Sequence, residues 1–186
     1  IVRSGLLEFL VENKPLSFLS HWKDWPLQQN AYLRFPWPIA LKKNAHKTHP
    51  ARIARRLILS LYRKRLVPVN QKFGSLKGLC LWRGSAWWTL HRSVAESLLS
   101  PKFKEFSSIY RNSLMPDERL MHTFLLNEFK DWNFVNDNLL FCQFSENSPK
   151  LIDNSILKEI FLSDRFFARK FSWDVSGSSL NFFKTL

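Results

Sequence analysis

Pro116 constrains local architecture more than any other residue in this chain. Proline donates no main-chain hydrogen bond, so a helix tolerates it only in its first turn. The residues that follow, Met121, Phe124 and Leu125, form an apolar stripe at helical spacing. The sequence therefore predicts a helix that begins at Pro116 and runs to about Glu128. That start places the carboxylate of Glu118 in the first turn, where two readings are open. The helix dipole favours an acid there by roughly 0.3–1 kcal/mol. Alternatively, one placed carboxylate in a strongly basic chain suits a general base, acting on a hydroxyl beside an anionic leaving group. His122 lies four residues on, hence on the same face. It either bonds Glu118 or is an ordinary half-buried histidine.

The remaining pattern alternates strands with helices. Leu6, Leu7, Phe9 and Leu10 have helical spacing, and Pro15 ends that segment. His21–Pro38 reads as irregular, with Trp25-Pro26 and Phe35-Pro36-Trp37-Pro38 holding the backbone extended. His46–Pro50 reads as loop. Leu79–Leu90 reads as a strand interrupted by Arg83-Gly84-Ser85, with Trp87 and Trp88 on opposite faces. Helices are expected over Ser93–Ser100, Pro101–Arg111 and Ser155–Leu162, and a short strand over Leu139–Phe144. This is an α/β or α+β pattern, and 186 residues suffice for one domain with a real core. The chain begins at Ile1 with no signal-like segment after it. It is read as a fragment or processed piece, a single partial domain over residues 1–186.

Lys and Arg number 28 against 15 acids, a net charge of +13. That excess favours an anionic partner. Nine of the cations and no acid fall between Lys42 and Arg65. Within this stretch Arg52–Leu66 is a helix candidate, with Ile53, Leu57 and Leu61 as its stripe and Arg52, Arg55, Arg56, Arg63 and Lys64 largely off it. Three readings stand: a helix docked on the core, a basic amphipathic face on an anionic membrane, or a nucleic-acid contact. No apolar run approaches the roughly 18–20 residues that span a bilayer.

Cys80 and Cys142 do not form a disulfide scaffold and are expected as free, buried thiols. The five histidines have no zinc spacing with them, and no phosphate-loop, dinucleotide or His-Glu-x-x-His motif occurs, so no metal is expected. Gly84-Ser85 permits close approach of backbone to a ligand, and equally marks a bulge or turn. Phe167-Ala168-Arg169-Lys170-Phe171 brackets two cations with aromatics. Such a segment can hold a diphosphate, or be an exposed turn anchored by its rings.

Gly84-Ser85-Ala86-Trp87-Trp88-Thr89-Leu90, Pro116-Asp117-Glu118 and Phe167-Ala168-Arg169-Lys170-Phe171 occur in this order. Together they resemble the core-2/I-branching β-1,6-N-acetylglucosaminyltransferase family, which also includes the peptide O-xylosyltransferases. The similarity runs from about Ser4 to the C-terminus and covers the later part of the family domain; the first nucleotide-binding strands would precede Ile1.

The resemblance implies a GT-A-like α/β fold and inverting, metal-independent transfer from a UDP-sugar, with no cofactor. Glu118 would deprotonate the acceptor hydroxyl. Lys170 would bind the UDP diphosphate where other enzymes use a metal. Gly84, Ser85 and Asp117 would line the nucleotide-sugar site together with Arg169, and Trp87 and Trp88 would offer apolar faces to the acceptor sugar. The family's second phosphate-binding arginine falls near Lys150, where no arginine stands. Lys150 substitutes as a point charge, or Arg165 or Arg169 reaches in. The expected donor is UDP-N-acetylglucosamine, with UDP-xylose as the alternative. The acceptor is a glycan or lipid-linked saccharide, and the stretch 42–65 is expected on an anionic membrane surface. In a bacterial source this means the cytoplasm or the cytoplasmic membrane face; in a eukaryotic one, a membrane-associated place in the secretory pathway. The rivals are a basic nucleic-acid-binding module, although no nucleic acid is expected on the main reading, and an inactive remnant.

Overall fold

The computed structural model describes residues 5–12, 16–24, 30, 33, 37–42, 48–64, 66, 76–145 and 148–172. Helix α1 (Leu6–Glu12) comes first, and its Phe9 ring rests between Phe18 at 5.5 Å and Phe166 at 4.7 Å. Strand β1 (Ser17–Lys23) follows, so the segment from His21 is not irregular as expected but begins inside a strand. Trp25-Pro26 and Phe35-Pro36 lie outside the described residues, as do His46 and Lys47 of the expected 46–50 loop; Thr48 and His49 are non-helical, and Pro50 already belongs to the next helix. Next come α2 (Ile39–Lys42) and α3 (Pro50–Arg63). Helix α3 starts as its residues dictate: Pro50 occupies the first turn, and the His49 ring accepts from the Ala51 N–H at 3.1 Å.

Strand β2 (Trp82–Thr89) leads into α4 (Arg92–Glu96), a 3-10 turn over Ser97–Leu99, and α5 (Pro101–Tyr110), whose N-cap Ser100 accepts from the Phe103 N–H. Helix α6 (Leu120–Glu128) and β3 (Phe134–Val135) follow. The strand expected over Leu139–Phe144 is two short ones, β4 (Leu140–Phe141) and β5 (Phe144–Ser145), which pair with different partners. After β6 (Ser148–Pro149), α7 (Asn154–Leu162) is capped by the Asp153 carboxylate, which accepts from Ser155 and Ile156. Strand β7 (Phe167–Ala168) lies parallel to β4.

Among the described residues the architecture is mixed α/β, with helices and three small sheets. The largest has the order β2-β1-β3, antiparallel between β1 and β2 and parallel between β1 and β3. One core layer joins Leu19 of β1 to Val94, Phe124 and Leu125. A second gathers Leu33, Leu76, Leu81 and Tyr110, and a third packs Ile152, Ile156, Leu157 and Ile160 of the α7 region against Phe141, Ala168 and Phe171. Among the described residues no helix is long and apolar enough to cross a membrane.

Helix α6 closes the free edge of β2 with side chains instead of another strand. Main-chain groups of Cys80, Trp82 and Gly84 turn away from β1. Asn127 both donates to and accepts from Cys80, and Thr123 does the same for Trp82, at 2.7–3.1 Å. The spacing makes this workable. Two strand residues advance about 6.8 Å and four helical residues about 6.0 Å, so positions 127 and 123 keep pace with 80 and 82. One step further along the strand, Gly84 meets the turn that precedes α6.

Two expectations are corrected. Cys80 and Cys142 are free but not buried: Cys80 is exposed and Cys142 half-buried. The apolar stripe of α3 does not dock on the core; Ile53, Leu57 and Leu61 face outward.

Candidate functional site

The site is built on an irregularity in β2. His21 pairs with Gly84 and Leu19 with Trp88, so the single residue Ser20 stands opposite Ser85, Ala86 and Trp87. The surplus is taken up as a bulge, held in part by the Ser85 hydroxyl accepting from the Trp87 N–H at 3.1 Å. Bulges re-aim side chains. Here both Trp87 and Trp88 are left largely exposed, at 50% and 40%, although neighbouring positions in a regular strand alternate between faces.

Gly84 is required by space. A β-carbon there would stand 1.9 Å from the Ser20 carbonyl oxygen and 2.5 Å from His122 Nε2. The close approach that this glycine permits is to the protein's own backbone and to a buried ring. Of the two readings of Gly84-Ser85, the bulge is the one present. The Gly84 N–H donates to the Glu118 carbonyl at 2.9 Å, which fixes the turn bearing the candidate base against the bulged strand.

Glu118 lies in that turn and not inside a helix. The Pro116 carbonyl accepts from the N–H groups of Arg119 and Leu120, at 3.1 and 2.8 Å, and α6 begins at Leu120. The expected helical start at Pro116 is therefore four residues early. With the carboxylate outside the first helical turn, burial dominates over the dipole. Half-burial raises the Glu118 carboxyl above its usual range. Arg119 opposes this, Asp117 reinforces it, Arg83 opposes it and Asp24 reinforces it. Asp117 is exposed beside it.

His122 does not bond Glu118. It is fully buried under Gly84, and neither ring nitrogen has a hydrogen-bond partner of ordinary geometry; the backbone of Ser20 and Ser85 is its polar surrounding. Burial foremost, and then His21, pushes its pKa down to about 4, so the ring is neutral at pH 7.

Sequence reasoning missed the ion pair beneath the turn. Arg119, buried beside Glu118, donates through Nε to Asp24 at 2.8 Å. Asp24 also faces Arg83 at 3.7 Å and accepts from Asn30 at 2.9 Å. Asp24 and Arg119 are 95 residues apart, and no local pattern joins them.

The Phe-Ala-Arg-Lys-Phe segment reaches the same bulge. The Arg169 guanidinium lies over the Trp87 ring, 5.1 Å from its centroid, and the Arg169 N–H donates to the Phe141 carbonyl at 3.0 Å. Lys170 and Lys150 run side by side: the Lys170 N–H points at the Lys150 carbonyl at 3.5 Å, and both side chains are exposed. Arg165 is held by an ion pair with Asp137. Of the three candidates for the missing arginine position, Arg165 is thus engaged elsewhere, while Arg169 and Lys150 flank Lys170.

No hydrogen bond or ion pair joins the Glu118 carboxylate to Lys170. A cavity of about 510 Å³ opens between α5 and α6, lined by Lys102, Phe106, Thr123, Phe124, Asn127 and Glu128 among others, and none of the candidate residues lines it. Among the described residues no cluster of three or more His, Cys, Asp or Glu side chains could hold a metal ion. The chain matches no model of a known protein family and no curated protein sequence.

Proposed function

We propose that this chain is part of an inverting, metal-independent glycosyltransferase of the core-2/I-branching type. On this reading it has a GT-A-like domain and moves N-acetylglucosamine from UDP-N-acetylglucosamine to a glycan hydroxyl. The observation that carries the proposal is convergence. Three motifs more than 25 residues apart from one another in sequence meet at one bulge: Gly84 holds the Glu118 turn, and Trp87 of the same strand stacks on Arg169.

The chemistry follows from the side chains. Glu118, made more basic by partial burial, accepts the proton of the acceptor hydroxyl as that oxygen attacks the anomeric carbon. The bond from that carbon to the diphosphate oxygen breaks, and UDP leaves with the electron pair. Lys170 and Arg169, with Lys150 beside them, are the cations that meet the growing negative charge. Trp88, and Trp87 on the side not covered by Arg169, offer exposed indole surface to a sugar ring.

The test is UDP release, measured in EDTA with a mixture of glycan acceptors, from UDP-N-acetylglucosamine and separately from UDP-xylose. Acceptor-dependent release from the first supports the proposal. Release from the xylose donor alone reassigns the donor. Release from neither removes the enzymatic reading.

A further inference from the structure

The outward face of α3 has no role in transfer chemistry. Its stripe Ile53, Leu57 and Leu61 is 48%, 59% and 39% exposed, and Arg56, Ser60 and Lys64 are exposed between and beside these residues. Positions 53, 56, 57, 60, 61 and 64 follow the three- and four-residue spacing of a single helical face. No described side chain of α3 is fully buried, so the helix lies on the molecule without being embedded in it. Ile39 on the neighbouring α2 and Leu66 just past α3 are also exposed.

We infer that α3 seats the protein on an anionic lipid bilayer, with Ile53, Leu57 and Leu61 entering the acyl boundary and Arg56 and Lys64 at headgroup level. Charge complementarity selects this occupant: the sequence from Lys42 to Arg65 holds nine cations and no acid. The stripe selects it over nucleic acid. A phosphate backbone would engage the cations and leave three aliphatic side chains in water, whereas a bilayer takes both halves of the face. The inference does not rest on the transfer chemistry, because lipid binding needs neither Glu118 nor Lys170.

The experiment is flotation of the full chain with neutral phosphatidylcholine vesicles and with vesicles containing about 30 mol% phosphatidylglycerol. Each headgroup-level cation contributes about fivefold in partitioning, so Arg56→Gln with Lys64→Gln is expected to cut binding to the anionic vesicles about 25-fold. Leu57→Asn is expected to lower it about tenfold without altering the helical circular dichroism, since the side chain is exposed. Equal flotation with both vesicle types overturns the inference. So does binding to the anionic vesicles that survives Leu57→Asn. Two further outcomes also overturn it: tight binding of duplex RNA or DNA that ignores Leu57, and a homodimer in sedimentation that Leu57→Asn dissociates.

Discussion

The main-chain N–H of Gly84 donates to the main-chain carbonyl of Glu118 at 2.9 Å, across 34 residues of sequence. A side chain at 84 cannot be accommodated, because its β-carbon would fall 1.9 Å from the Ser20 carbonyl oxygen. Gly84→Ala is therefore expected to destabilise the fold by about 3 kcal/mol, read from urea unfolding. Removing the ring as well, in Gly84→Ala with His122→Ala, relieves only the 2.5 Å contact, so it is not expected to restore stability. Wild-type stability in the single variant would contradict this packing.

His122 ties stability to acid. Its folded pKa, about 4, lies below the ordinary 6.5, so the unfolded chain binds the proton first as pH falls. Its contribution is complete above pH 6.5 and is lost as the pH drops toward 4, a change of about 3 kcal/mol. Unfolding free energies at several pH values are expected to fall less steeply for His122→Gln than for the native chain across this window. Parallel curves would show that the ring titrates normally.

Asp24 is the counter-ion of a buried arginine. Asp24→Asn leaves Arg119 without its carboxylate and is expected to cost about 3–5 kcal/mol in denaturant unfolding. The same change removes the partner of Arg83. A loss below about 1 kcal/mol, the value of an exposed pair, would show that water reaches Arg119.

Glu118 carries the opposite pH sign. Its folded carboxyl keeps a proton to higher pH than in the unfolded chain, so ionisation works against the fold as pH rises through the folded value. Glu118→Gln is expected to be more stable than the native chain at neutral pH, by thermal melting. The two should coincide below the ordinary carboxyl range, where both states are protonated. A lower melting temperature for the variant at pH 7 would contradict the assignment of burial as the dominant cause.

The exposed cations beside the bulge are expected to bind the leaving nucleotide. Lys170→Ala should weaken UDP binding about tenfold by calorimetry, as loss of one charge-assisted bond does. Arg165→Ala should leave it near the native value, because Arg165 is held by Asp137. The reverse ranking would move the phosphate site.

What was legible in the sequence was local. The helix expected over Pro101–Arg111 is α5, Pro101–Tyr110. Strand β1 was not legible. Ser17-Phe18-Leu19-Ser20-His21-Trp22-Lys23 has no β-branched residue, and its polar groups are satisfied from far away. Ser17 Oγ accepts from the His91 N–H and from Trp132 Nε1, and the His21 N–H donates to Asn136. The start of α6 was misplaced for a related reason. Pro116 suits a first helical turn, but Gly84 draws the Glu118 carbonyl away from the helix. The sequence marked Gly84-Ser85 as a bulge or a ligand approach; the bulge is present, and nothing near position 84 reveals that His122 and Ser20 fill the space beside it.

The most direct measurement is transfer of N-acetylglucosamine from UDP-N-acetylglucosamine by the native chain and by Glu118→Gln, with UDP affinity measured on both. The account predicts a loss of about 10²–10⁴-fold in kcat with UDP binding intact. Unchanged turnover in Glu118→Gln would contradict it.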